Sequence, residues 1–259
     1  MVSVIIPTRH EAQALPRTLE RLQGQEASHE VWVVDADSRD GTVELAAAAG
    51  AQVLGDAPAQ RAAQMNLGAA HARGDVLLFL HADTLLPPGG LARIEEALAD
   101  ARVLGGAFAR RFDSPSWFLR WTCWLAAVRG RWLGWHLGDQ AMFVRRTVFH
   151  ALGGFPEWPV FEDLEFSRRL ARCGGVVTLR PPVVTAARRF AERGPLRTTW
   201  ADFWLTVRYL ARGGHSPPTT CPPPQTLPSP DRPSAKGWWR PRWSWPRPPS
   251  FSGGPSNAN

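Results

Sequence analysis

Residues Asp75–Thr84 read DVLLFLHADT: five consecutive apolar side chains, then an imidazole, an alanine and a carboxylate. So apolar a run over so few residues suits a strand buried on both faces, as in a parallel sheet. In a strand, residues two apart share a face. The stretch therefore predicts that His81 and Asp83 project together where the strand leaves the core. Such a pair suits a metal ion and equally suits the end of any strand, so the surrounding chain has to decide.

Working outward, strand-like and helix-like segments alternate. Upstream, VSVIIPT (2–8) predicts a buried strand. Leucine spacing predicts a helix over 11–23 with Pro16 in its first turn. A second strand is expected over 30–36, then a DSRDGT turn, an alanine-rich helix over 43–49, a short strand at 51–54 and an amphipathic helix over 59–72. Downstream, helices are predicted over 91–101 and 195–211, strands over 105–112, 138–146 and 176–185, and an aromatic helical region over 114–135. An acidic turn, FEDLEF, leads into a helix over 164–173. This alternation predicts an α/β fold, a mainly parallel central sheet flanked by helices. Such sheets bind ligands beyond the carboxyl ends of their strands. Thr8, Arg9, Glu11, Asp35, Asp37, His81 and Asp83 all fall on that rim. Crowded carboxylates repel one another unless a cation joins them.

Composition narrows the class. The chain has 259 residues, 44% hydrophobic, enough for a sizeable core. The net charge is +7, but the segment from His215 onward, with five Lys/Arg and one Asp, carries +4 of it. A basic nucleic-acid-binding body is thereby disfavoured. Three widely spaced cysteines without a CxxC pair suggest neither a disulfide framework nor a zinc knuckle, and a reducing cytoplasm is expected. The start, MVSVIIPT, lacks a basic leader and reads as a first strand. No stretch reaches the roughly 18 apolar residues of a membrane span. From about His215, Pro, Ser, Trp and Arg dominate, and a disordered tail is expected.

In chain order the sequence carries VSVIIPTRHEA, VVDADSRDGT, RAAQMNLGAAHARGDVLLFLHADTLLP, GGAF, GDQAMFVRR, LGGFP, FEDLEFSRRL and ARRF followed by GPLRTTW. With these segments it resembles the family 2 glycosyltransferases of GT-A fold. Within them it is most similar to a short bacterial subgroup with HADT in place of Asp-x-Asp. The resemblance covers residues 1–213 and implies a transferase domain there, with 214–259 as a separate Pro/Ser/Trp/Arg-rich tail. Either a frameshift near Pro217 or Pro218 or a genuine low-complexity segment accounts for that tail. The resemblance implies a metal-dependent, inverting transfer from a nucleotide-sugar donor to an acceptor hydroxyl or carboxylate. The acceptor is a small molecule or lipid-like: a lipid, a carotenoid or an arsenosugar precursor. Expected partners exclude nucleic acid, and the expected location is cytoplasmic, including peripheral attachment to the inner face of the cell membrane. The alternatives are a nucleotidyltransferase, whose usual glycine-rich first loop PTRHEA lacks, and an inactive nucleotide-sugar-binding protein. A dinucleotide-binding domain is disfavoured because no GxGxxG follows a strand.

The same resemblance assigns roles. Asp83 is the expected ligand of Mn²⁺ or Mg²⁺. His81 is either a second ligand or a hydrogen-bonding partner of ribose or phosphate. Asp35 is expected to accept from the base or ribose, with Pro7 and Thr8 shaping the floor. Glu11 either contacts the ribose or is a helix-start carboxylate. Arg61, Arg188 and Arg189 are candidates for the diphosphate, against the plain reading of solvated arginines. Gly138, Asp139 and Gln140 are expected to line the acceptor or donor-sugar pocket. Asp163 is the expected base with Glu162 beside it, each carboxylate raising the other's pKa; both also suit helix capping. From the usual burial of such side chains, and not from the resemblance, the tryptophans from Trp117 to Trp135 are expected to be core or a lid. Trp with Arg at an interface also suits a lipid-linked acceptor, and core plus an acceptor groove is the preferred reading.

Overall fold

A computed structural model describes residues 1–188, 190, 194–211 and 221. Its strands are β1 (Val2–Thr8), β2 (His29–Asp35), β3 (Gln52–Leu54), β4 (Val76–Phe79), β5 (Thr84–Leu85), β6 (Gly105–Phe112), β7 (Met142–Arg145) and β8 (Val176–Thr185). The helices are α1 (Leu15–Gln23), α2 (Thr42–Ala48), α3 (Arg61–His71), α4 (Gly90–Leu98), α5 (Trp117–Leu133), α6 (Arg146–Ala151), α7 (Glu162–Cys173) and α8 (Pro195–Ala211). A short 3₁₀ turn covers Gly138–Gln140. The sheet order is β3-β2-β1-β4-β7-β6-β8-β5. Strands β1 to β4 pair in parallel, as do β6 and β8, while β7 runs antiparallel to β4 and β6, and β5 to β8.

Period-two geometry explains why β4 reads as an unbroken apolar run and β1 as a nearly unbroken one. Val4, Ile6 and Leu78 face one core layer with Leu19, Leu91 and Ile94. Ile5, Leu77 and Phe79 face the other, with Met65, Phe149, Phe155 and Phe166. Both faces are covered, so a polar residue there needs a partner: the buried Ser3 donates its hydroxyl to Glu30 Oε1 at 2.6 Å. Helix α3 lies close against the sheet at Gly68, where a Cβ would come within 2.5 Å of Ile5.

Several expectations are corrected. The strand of the opening stretch stops at Phe79, and the backbone then turns, with Thr84 N–H donating to His81 O at 3.1 Å. His81 and Asp83 therefore sit in a turn between β4 and β5 and do not share a strand face. The strand expected over 138–146 breaks into the 3₁₀ turn and β7 at Ala141, whose φ is 49°. Helix α1 begins at Leu15, not Glu11, because Glu11 O is taken by a turn to Ala14 and Leu15 N–H. The tryptophans of α5 are not core: Trp117, Trp121, Trp124 and Trp132 are exposed, since the helix packs through Leu119, Ala126 and Gly130. Cys173 at the end of α7 is disulfide-bonded to Cys221, 48 residues away, a pairing that spacing does not reveal. Arg189 and the tail from 214, apart from Cys221, lie outside the described residues. Among the described residues no helix is long and apolar enough to cross a membrane.

Candidate active site

A cleft of about 690 Å³ opens beyond the ends of β1 and β4. Pro7 closes it at β1, the turn after β4 brings His81 and Asp83, and α3 contributes Arg61 from its first residue. Glu11, Asp139, Asp163 and Arg188 complete the sequence-predicted residues on its wall. Residues far apart in the chain converge here because the crossovers return each strand end to one rim.

On one side Arg188 reaches Glu11 at 3.4 Å. Burial pushes the Glu11 carboxyl up, and Arg188 opposes the shift. Asp83 is raised for the same reasons in the same order, with Asp139 adding a like charge. The buried His81 Nε2 has no hydrogen-bond partner among the described residues. Burial, aided by Arg61, pushes this imidazole down to about 4, so it is neutral at pH 7.

On the other side stands Asp163. Phe161 precedes it in the left-handed region, φ 66°, an uncommon conformation for a bulky residue and one that turns Glu162 and Asp163 onto the start of α7. Asp163 Oδ2 accepts from Gly138 N–H at 2.5 Å and Oδ1 from Leu164 N–H at 2.6 Å. Burial pushes the Asp163 carboxyl up, while those two N–H groups and Arg61 hold its ionised form. For Glu162 too, burial comes before the neighbouring carboxylate as the cause of its raised pKa. A Cβ on Gly138 would lie 2.9 Å from His81 Nε2 and 3.2 Å from Asp163 Oδ2. Only glycine lets these two groups approach across that point.

Other predicted residues lie behind the wall. Thr8 is buried and donates to Asp35 Oδ2 at 2.7 Å, while Ser38 donates to both Asp35 oxygens through its N–H and hydroxyl. Asp35 thus orders the ends of β1 and β2 and does not line the cleft. Glu162 sits 3.7 Å from Arg61. Gln140 is fully buried, donating to Phe108 O and accepting from Leu137 N–H, so its amide holds the 3₁₀ turn instead of lining a pocket.

Two arginines escaped the sequence reading. Arg110 of β6 lines the cleft, ion-paired with Asp139. Arg129 of α5 lines the cleft with no carboxylate in ion-pair range among the described residues, its contacts being Trp135 O at 3.1 Å and Gln140 Oε1 at 3.4 Å. Burial pushes this guanidinium below its ordinary value. Nothing local in the sequence marks either arginine, because the strand and helix that carry them read as structural.

A divalent cation can be tested against this geometry. Among the described residues no group of three or more His, Cys, Asp or Glu side chains could hold a metal unaided. The unpartnered Nε2 of His81 and the half-exposed Asp83 carboxylate nevertheless face one cleft. Mg²⁺-type sites commonly take one or two carboxylates plus substrate phosphates, and the pair fits that shared arrangement, with the nucleotide supplying the remaining oxygens.

The model of the family described as glycosyl transferase family 2 matches residues 3–152. An undecaprenyl-phosphate 4-deoxy-4-formamido-L-arabinose transferase of Sodalis glossinidius (strain morsitans) is 29% identical over 205 residues, 74% of this chain and 61% of that protein. A 4,4'-diaponeurosporenoate glycosyltransferase of Staphylococcus haemolyticus is 37% identical over 92 residues, 33% of this chain and 24% of that one. Among solved structures, the mannosyltransferase PcManGT from Pyrobaculum calidifontis, in complex with GDP-Man and Mn²⁺, superposes with a TM-score of 0.58 at 26% identity, over 71% of this chain and 56% of that one. S. aureus TarS 1–349 in complex with UDP gives 0.59 at 15% identity, over 71% and 60%, a likeness of fold. The fold is that of the GT-A glycosyltransferases. The chain spans less than two thirds of each of these proteins. Asp163 lies beyond the family match.

Proposed function

Because this chain belongs to glycosyl transferase family 2, we propose that it moves a glycosyl group from a nucleotide sugar to an acceptor hydroxyl or carboxylate, with inversion, as a member of the HADT-bearing subgroup. The observation that carries this reading is the shared cleft. A carboxylate at the start of α7 faces an imidazole and a second carboxylate from the β4–β5 turn, with Arg61 of α3 and Arg188 after β8 on the same wall. Where the acceptor is a hydroxyl, Asp163 takes its proton as the acceptor oxygen bonds to the anomeric carbon; a carboxylate acceptor attacks already ionised and gives up no proton. The bond from that carbon to the diphosphate breaks, and its electron pair leaves on phosphate oxygen. Arg61 and Arg188 offer positive charge where that oxygen departs. Asp83 and His81 would hold a divalent cation together with the diphosphate; when bound, the ion supplies charge that stabilises the leaving group. Gly138 N–H fixes the Asp163 carboxylate in orientation.

For the acceptor, Arg129 supports an anionic group, since a half-buried guanidinium with no carboxylate in ion-pair range among the described residues favours a negatively charged visitor. The names of two relatives, an undecaprenyl-phosphate 4-deoxy-4-formamido-L-arabinose transferase and a 4,4'-diaponeurosporenoate glycosyltransferase, agree with a lipid-like anionic acceptor. The proposed transferase domain is residues 1–213, acting at the inner face of the membrane, with 214–259 outside it.

The test is a thermal-shift screen of nucleotide sugars with Mn²⁺, Mg²⁺ or chelator, followed by transfer and donor-hydrolysis assays. One donor should raise Tm in a cation-dependent way. Asp163→Asn should keep that shift and lose turnover by about 10²–10⁴-fold. Wild type that binds donor but never turns it over would make this a binding protein. Pyrophosphate release from a nucleoside triphosphate and a sugar phosphate would make it a nucleotidyltransferase.

A further inference from the structure

Helix α5 carries its largest side chains on the outside. Trp117 and Trp132 are 76% and 78% exposed, and Trp121 and Trp124 are exposed between them. At 3.6 residues per turn, Trp117, Trp121, Trp124, Val128 and Trp132 fall within an arc of about 80°. Arg120 and Arg131, both exposed, run along one edge of this stripe, and Leu125 lies on the other edge, where it also lines the cleft. Residues 117–133 contain no Asp or Glu. Helix α8 repeats the theme beside the same cleft: Trp200, Trp204 and Leu205 are exposed with Arg197 and Arg208, while Thr199 and Thr206 face the cleft.

We propose that the tryptophan stripe of α5 is a peripheral docking surface for an anionic lipid bilayer, lying in the headgroup layer at the mouth of the cleft. Three observations favour a bilayer over a protein partner. The exposed side chains are chiefly indoles, whose flat apolar ring and single N–H suit the boundary between hydrocarbon and water. Arginines border the stripe without any acid on the helix, which complements an anionic surface and not a mixed-charge protein face. The stripe and the cleft share Leu125, so a docked helix would hold the cleft mouth at the membrane. This surface does not depend on turnover, and its test needs no donor.

Full-length protein is sedimented with vesicles of pure phosphatidylcholine and of phosphatidylcholine with phosphatidylglycerol, at low and high salt. Wild type should pellet with the anionic vesicles and be partly released by salt. A variant with Trp117, Trp121, Trp124 and Trp132 each changed to Gln should lose about tenfold or more in partitioning. Arg120→Glu with Arg131→Glu, which leaves the stripe intact, should weaken binding to anionic vesicles about tenfold or more and leave neutral vesicles unaffected. Unchanged urea midpoints would show that both variants fold. The proposal is overturned if wild type does not pellet, or if the four-tryptophan variant pellets equally. It is also overturned if light scattering shows the stripe joining two copies, with the variant turning a dimer into a monomer. Failure here with a working transferase assay would leave the catalytic reading standing, and the reverse holds too.

Discussion

Helices α7 and α5 border the same cleft and depart from amphipathic patterning in opposite directions. Helix α7 buries charge: Glu162, Glu165 and Arg169 are all inside, along with Ser167. Helix α5 puts four tryptophans outside. The difference lies in compensation. Every buried charge on α7 has an internal partner: Arg61 for Glu162, and Arg168, Arg169 and Tyr209 for Glu165. The α5 stripe faces away from the packed side of its helix. Buried and matched polarity reads as scaffolding for Asp163; an exposed apolar face reads as a surface awaiting a partner.

The strongest blow to this contrast would come at Glu165, which is 0% exposed. It accepts from Arg169 Nε at 3.1 Å and from the Tyr209 hydroxyl, and lies 3.7 Å from Arg168. Arg168 in turn stacks over Trp135 and Tyr209 at 5.2 and 5.6 Å. Glu165→Ala leaves a buried guanidinium uncompensated and should cost about 3–5 kcal/mol in urea unfolding. Glu165→Gln, which keeps an acceptor, should cost less. A loss below about 1 kcal/mol for the alanine variant would mean that the network is solvated and the contrast with α5 is false.

A second effect sits at the junction of the two helices. His136 follows α5, donates its N–H to Ser167 Oγ of α7 at 2.7 Å, and pairs its Nε2 with Thr178 Oγ1 of β8 at 2.9 Å. Burial, aided by the charge of Arg129, pushes its imidazole down to about 4. The native state therefore resists a proton that the unfolded chain accepts near pH 6.5. The contribution is intact above that pH and is lost progressively as pH falls through about 4, reaching about 3 kcal/mol at the acid limit. The raised carboxyls of Glu11, Asp83, Glu162 and Asp163 bias stability in the opposite sense, so the comparison must be with His136→Gln. Urea midpoints at pH 7 and pH 5 should fall more steeply for wild type than for the variant. Parallel slopes would show that the junction admits water.

The first half of the chain was legible because each element there serves one purpose. Residues 2–8 and 76–79 are buried along nearly their whole length and mostly apolar, as central strands covered on both faces must be. The candidate site's rim was legible as a set of residue types but not as geometry. His81 and Asp83 reach the cleft through a turn and not through strand alternation, since Thr84 must leave to pair with β8 at the far edge. Arg110 and Arg129 stayed hidden because their partners, Asp139 and Gln140, are 29 and 11 residues away in sequence and meet them only through tertiary packing. Asp35 shows the same thing from another side: residue type marks it as an acceptor, and only the fold shows that Thr8 and Ser38 already donate to it. The tryptophans show the limit of composition itself. Aromatic content indicates burial somewhere, and it does not say whether the burying surface belongs to the same chain.

The smallest expected effect sharpens the contrast most. Trp132 is 78% exposed, so Trp132→Gln removes little packing and should change the urea midpoint by no more than about 0.5 kcal/mol, the range of ordinary surface substitutions. A large aromatic whose loss leaves folding untouched is retained, on physical grounds, for something outside the fold: it exposes apolar area to water in every molecule at rest and gains only when that area is covered. If instead Trp132→Gln destabilised the protein by 2 kcal/mol or more, the indole would be packed by the chain itself in solution. Helix α5 would then be an ordinary element with its apolar side covered internally. The two helices would no longer differ in kind, and the membrane-facing reading of the stripe would lose the exposure on which it depends.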